Sequence, residues 1–249
     1  MDERQEGPRD IPTAQRMKDI GTAMASSIGS KLTGDTERDQ KGERYSLTKV
    51  EAEALLADWP AGPSGMARQM MKQYGPPNEG TPVRLIWYRN GPWKRTEVIR
   101  DEIVHNFPAT HTDFITNWID YPVPVDMMNE LTRYDGSCLL DRTAGEAGAR
   151  CDSEAANFIT INIMHEIVTG TRTVEEARHF YAEQMSAYMM GRPAPYAERL
   201  LFDPPRGGTM DPDQGLIAPH MLNQMGQKVK DLVTGNTDPS APTGSSSSG

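Results

Sequence analysis

The stretch Cys151–Gly191, CDSEAANFITINIMHEIVTGTRTVEEARHFYAEQMSAYMMG, is the one from which the fold follows. Phe158, Ile159, Ile161, Ile163, Met164, Ile167 and Val168 make an apolar run broad enough for a helix buried on most sides. Val174, Ala177, Tyr181, Met185 and Tyr188 then recur at three- and four-residue steps, which predicts a second helix. The ends are marked as well. Asp152 or Ser153 can cap the first helix and Gly170 lies just past it. Thr173 with Glu176 has capping-box spacing, and Gly191 with Pro193 closes the second. Such a pair needs another layer to cover.

Upstream, TPVRLIWYRNGPWKRTEVIR (Thr81 to Arg100) supplies that layer. Val83, Leu85 and Trp87 alternate with Arg84, Ile86 and Tyr88, Asn90-Gly91 reverses the chain, and Trp93, Arg95, Glu97 and Ile99 return. Residues 137–151, SCLLDRTAGEAGARC, read as a second hairpin with Gly145 and Gly148 in its loop. The expected fold class is therefore α+β: a small antiparallel sheet of two hairpins, covered by the helical pair and further short helices. Those short helices are expected after Thr48, where Glu51 completes a capping box, near Ser64 with Met66, Met70, Met71 and Tyr74, and over Met127–Tyr134. Residues 101–110 read as irregular. A helix capped by Thr110 or Thr112 is expected next, with Phe114, Ile115, Trp118 and Ile119 inward.

The ends differ in composition. Residues 1–46 are polar and glycine-containing, with a helical step only at Met17, Ile20, Met24, Ile28 and Leu32, and read as a flexible or loosely docked leader. Residues 47–205 are expected to be a single globular α+β domain. Residues 206–249 read as an extended exit, an amphipathic helix over 217–233 and a disordered Gly/Ser/Pro tail.

The charge balance, 26 basic against 35 acidic residues in a chain of 249, argues against a nucleic-acid partner or an anionic bilayer. No apolar run is long enough for a membrane span, and the acidic start MDERQEGPRD is unlike a secretory signal, so the cytoplasm is the expected location. Two cysteines, Cys138 and Cys151, make neither a disulfide framework nor a zinc pattern; buried free thiols are expected, with a cross-hairpin pair as the alternative.

Chemistry has few places to reside. His105, His111 and Asp113, with Glu102 three residues before His105, put metal-ligand types on one short stretch, and His-x5-His-x-Asp can bring two imidazoles and a carboxylate to one divalent metal ion. The Glu-x-x-His pairs Glu102–His105 and Glu176–His179 do not make a two-metal bundle, because the first runs into Asn106-Phe107-Pro108 and Glu176 is a capping residue. Around the second hairpin, Asp141, Arg142, Glu146, Arg150, Asp152 and Glu154 form a mixed-charge junction. Arg142 and Arg150, with Trp87 and Trp93, are candidates for binding an anion or small ligand, against the plainer reading of a solvated ion-pair network. His165 lies inside the apolar helix, where burial would perturb its charge. Phosphate-loop, dinucleotide and serine-nucleophile motifs are absent.

The pieces YGPPNEGTP (74–82), LIWYRNGPWKRT (85–96), HNFPATHTD (105–113), RTAGEAGARCDSEAANF (142–158) and EIVTGTRTVEEARHFYAE (166–183) resemble a family of uncharacterised bacterial proteins over residues 74–202. That resemblance implies a globular unit ending near residue 205 and carries no activity, cofactor or catalytic residue with it. Two functions follow from the residues themselves. One is a soluble interaction or binding protein, taking a protein partner through the amphipathic segments 17–32 and 217–233 or a small molecule. The alternative is a metal-dependent or small-molecule-modifying enzyme built on His105, His111 and Asp113.

Overall fold

The reversal at Asn90-Gly91 forms as the sequence predicts and begins the sheet. In the computed structural model, which describes residues 11–33 and 42–210 with isolated positions beyond, β2 (Arg84–Tyr88) pairs antiparallel with β3 (Arg95–His105). Gly91 takes the left-handed conformation (φ 63°), and a Cβ there would meet the Tyr74 ring at 2.9 Å, so glycine serves the turn twice. Asn90 is buried and donates through Nδ2 to Thr96 Oγ1 at 2.8 Å.

The sheet has six antiparallel strands in the order β1-β2-β3-β4-β6-β5, adding β1 (Glu79–Thr81) and β4 (His111–Asp120) to the two hairpins. The second hairpin is β5 (Cys138–Asp141) with β6 (Glu146–Cys151). It keeps Gly145 at the turn but takes Gly148 into the strand, under the Trp118 ring. Its register sets Cys138 opposite Ala149, and both cysteines are free and buried.

β4 corrects the expected helix over Phe114–Ile119. The strand lies between β3 and β6, and Asp113–Asn117 are all buried apart from no more than a few per cent of their surface. A strand covered on both faces loses the polar-out alternation that marks a half-exposed one, and its contiguous Phe114-Ile115 mimics a helical apolar face. The supposedly irregular stretch is corrected too: β3 continues to His105, past a register shift between Val98 and Ile103.

The helices obey their local signals. Ser153 caps α5 (Glu154–Val168), its Oγ accepting from Ala156 N at 3.3 Å. Thr173 and Glu176 make a reciprocal capping box on α6 (Val174–Met189), as do Thr48 and Glu51 on α2 (Lys49–Leu55). Next, α3 (Ala61–Tyr74) starts three residues ahead of Ser64, with Pro60 as its N-cap, and α4 spans Met128–Tyr134. The leader contributes α1 (Thr13–Thr33), while the expected helix over 217–233 lies outside the described residues. By contacts the chain divides into two units, 37–211 and the flanks 1–36 with 212–249. Among the described residues no helix is long and apolar enough to cross a membrane.

Both helical layers cover one face of the sheet. Leu85, Val98 and Ile115 fall in one cross-strand row and pack with Met66, Met70 and Met71 of α3. Ile119, two steps on from Asn117 and so on the same face, packs with Ala147, Ala149 and α5. Ile159, Ile161, Ile163 and Met164 are fully buried there, each contributing about 1.5–3 kcal/mol. A buried polar chain locks α5 in place. Thr96 Oγ1 accepts from Asn90 and Asn117, both at 2.8 Å, and Asn157 Nδ2 donates to Asn117 Oδ1 at 2.7 Å and to Ile115 O at 3.1 Å.

His165, near the end of α5, is hydrogen-bonded through Nδ1 to the Tyr121 hydroxyl at 2.9 Å and stacks on Phe202 with centroids 4.0 Å apart. Burial lowers its pKa, against an opposing pull from Glu166. An imidazole lowered in the folded state protonates more readily when unfolded. Its contribution is therefore full above the ordinary value of about 6.5 and is lost as pH falls from there through the folded pKa. In urea titrations at pH 7.5 and 5.5, His165→Phe is expected to lose less stability on acidification than the parent protein. Equal losses in the two proteins would assign the acid sensitivity elsewhere.

Candidate metal centre

Hairpin register, more than spacing, assembles the site. His105 ends β3, His111 begins β4, and the two are direct cross-strand partners across the five-residue connection, with ring centroids 5.1 Å apart. Asp113 is two residues further along β4, so its side chain emerges on the same face as His111. Ligand atoms of His105, His111 and Asp113 all lie within 4.8 Å of one another. One ion with bonds near 2.1 Å needs its ligand atoms roughly 3–4 Å apart, so a small imidazole rotation closes the set.

Glu102 stands apart from the three. It lies one residue out of step with Ile103 and His105, on the opposite face of β3, where its carboxylate accepts from the Thr112 hydroxyl at 3.3 Å. Strand alternation removes it from the ligand set that the sequence suggested.

The donor chemistry favours a cation. Asp113 is 1% exposed. Its Oδ2 accepts from the Ser137 hydroxyl at 2.5 Å and lies 3.5 Å from His105 Nδ1 and 3.9 Å from Arg150 Nε. Its Oδ1 has no hydrogen-bond donor among the described residues and faces His111 Nε2 at 3.1 Å. His111 Nδ1 is 2.8 Å from the carbonyl oxygen of Ala109, which can only accept, so the proton of the neutral ring sits on Nδ1. The Nε2 lone pair, with the Cys151 thiol 3.2 Å away, is then turned toward a carboxylate oxygen that no donor among the described residues satisfies. Two acceptors at that distance repel unless a proton or a metal ion lies between them, and a backbone carbonyl holding the far nitrogen is the usual support of a metal-bound histidine.

Three further groups ring the centre: Cys151, which the sequence offers only as a buried free thiol, and Asp135 and Ser137, which it does not single out. Cys151 Sγ lies 3.2 Å from His111 Nε2; burial, followed by the charge of Asp152, pushes its thiol well above the ordinary range. Asp135 Oδ1 lies 3.4 Å from His105 Nε2 and accepts from Ser137 N at 2.8 Å. Burial raises the Asp135 carboxyl, outweighing that backbone hydrogen bond. Ser137 bridges the two aspartates. Asp135 and Ser137 come from the turn before β5, where no spacing of ligand types marks them.

The second candidate set is not gathered in one place. Trp87 is buried under α3, donating to Gly75 O at 2.9 Å, and Arg150 stands near Asp113. Arg142 is partly buried at the β5–β6 turn, and Trp93 packs on Phe158 with ring centroids 4.5 Å apart. Comparison with protein-family models, with curated proteins and with solved structures finds no match.

Proposed function

We propose that the protein is a metal-dependent enzyme whose divalent ion is held by His105, His111 and Asp113. The observation that carries the reading is the buried, donor-free Asp113 Oδ1 facing His111 Nε2 at 3.1 Å. Two nitrogens and one carboxylate are the ligand types of a catalytic centre, where three protein ligands leave a position open, and differ from the four-ligand closed sets of structural zinc. An ion in such a setting supplies a bound water acidified to about pKa 7 and a Lewis acid for a carbonyl or phosphoryl oxygen. The chain contributes the rest: Ala109 O and Ser137 orient the ligands, and Asp135, its carboxyl raised by burial, can hold a proton beside His105.

Metal analysis of the purified protein beside a His105→Ala/His111→Ala variant tests this. The parent protein is expected to carry a stoichiometric transition ion that the double variant lacks, while Glu102→Ala keeps it. Equal metal content in parent and double variant overturns the reading.

A further inference from the structure

At the other end of β4 lies a cavity of about 900 Å³, inside the range of roughly 300–1,000 Å³ usual for small-molecule sites. Asp120 on its wall is seven residues beyond Asp113, about 24 Å along the strand at roughly 3.4 Å per residue, so the cavity is separate from the metal centre. Aromatic rings dominate its apolar lining: Tyr74 from α3, Trp93 before β3, Phe158 from α5 and Tyr188 from α6.

Among them lies Glu154, buried in the first turn of α5. Its Oε1 accepts from the Tyr74 hydroxyl and from Trp93 Nε1, both at 2.6 Å, and its Oε2 accepts from Gln73 Nε2 at 3.2 Å. A carboxylate offers about four lone-pair sites, so these neutral donors leave one on Oε2. The amino end of α5 favours a negative charge there, and proximity to that charge, behind burial and the hydrogen bond to Glu154, pushes the Tyr74 phenol up. No cationic side chain among the described residues pairs with Glu154. Two of the cations that line the same cavity are committed to other carboxylates: Lys94 pairs with Asp120 and Glu146, and Arg89 with Glu43 and Asp120. A buried carboxylate that lacks a cation, at a cavity with aromatic side chains in its lining, is the chemistry that receives an ammonium group: the charge pairs with the acid, and the exposed Tyr188 ring can add cation–π attraction.

We propose that this cavity binds a small organic amine, an ammonium group on an apolar or aromatic body, with the ammonium at Glu154 and the body against Trp93, Phe158 and Tyr188. Arg199 and Arg206 at the same cavity are the counter-case, since they would favour an acid of the same shape. Calorimetric titration with phenethylamine and with 3-phenylpropionate, which share ring and chain length and differ in the sign of charge, separates the two. The parent protein is expected to bind phenethylamine and not the acid. Glu154→Gln is expected to weaken the amine about tenfold or more, the loss of a charge pair near 1.4 kcal/mol or above. Tyr188→Ala, at a residue 46% exposed and so without consequence for folding, is expected to weaken it severalfold even if Glu154→Gln proves unstable. Acid bound as well as amine, amine bound equally by both variants, or no heat from either probe up to about 10 mM overturns the proposal.

Discussion

Zinc added to the metal-freed protein is expected to raise its melting temperature, and Asp113→Asn to abolish the rise without weakening the metal-free fold. A ligand that binds only the folded state stabilises it by about 2.7 kcal/mol at a hundred times its Kd, which for a domain of this size is roughly 5–10 °C. The second half of the result is the sharper one. In the metal-free protein the Asp113 carboxylate faces the Nε2 lone pair of His111 at 3.1 Å with no donor between. Asparagine keeps the shape and can still accept from the Ser137 hydroxyl, while its amide N–H points a donor at His111 Nε2. The substitution therefore heals the metal-free protein while removing the anionic ligand. A residue that served only packing would give the opposite pattern, lower stability and no change in metal response. Identical melting with and without zinc in the parent protein, or an undiminished shift in Asp113→Asn, sinks the metal centre.

What could be read in the sequence was local in origin. The ends of α5 and α6 were legible because Ser153, Thr173, Glu176 and Gly170 act within a turn of where they stand, and the β2–β3 hairpin because Asn90-Gly91 makes its own reversal. β4 was not legible, since cover on both faces erases the alternation that identifies a strand. That one misreading also hid why the metal set converges. His-x5-His-x-Asp can be recognised as a list of ligands, yet its geometry depends on His105 and His111 pairing across a hairpin whose second strand carries a helix-like apolar pattern. The same alternation that gathers Asp113 rejects Glu102. Residues from distant segments were out of reach altogether: Ser137 and Cys151 meet the centre only through β5 and β6, and Glu154 finds Tyr74 and Trp93 80 and 61 positions away.

The other large effect lies at Lys94, on the wall of the same cavity as Glu154. Register sets Asp120 of β4 directly opposite Glu146 of β6, two buried carboxylates in a cross-strand position where like charges destabilise. Lys94 resolves the conflict: its Nζ pairs with Asp120 and lies 2.9 Å from Glu146 Oε1, while Arg95 Nη2 holds Glu146 Oε2 at 3.0 Å and is itself stacked over Trp118. Burial pulls the Lys94 amine down, but the hydrogen bonds and charges of Asp120 and Glu146 outweigh it and raise the ammonium above its ordinary value. A raised amine contributes its stability in full below the unfolded value of about 10.4, so the arrangement is intact at neutral pH and fails only in strong alkali. Lys94→Met keeps the length of the side chain and removes the charge: Glu146 keeps Arg95 and Asp120 keeps Arg89 Nη1 at 3.7 Å, but the cation that bridges the two buried carboxylates is gone. The expected loss is about 3–5 kcal/mol at pH 7.5, the cost of breaking a buried pair from one side. In the variant one carboxyl of the facing pair takes up a proton more readily than it does in the unfolded chain, so the deficit against the parent protein narrows at pH 5.5. Adding Glu146→Gln to the variant removes one of the two charges and recovers part of the loss at neutral pH. Urea midpoints for the parent, single and double variants at both pH values decide it: a single-variant loss below about 1 kcal/mol, or a deficit that does not change with pH, would mean that Lys94 is one surface-like ion pair among several and not the bridge between β4 and β6.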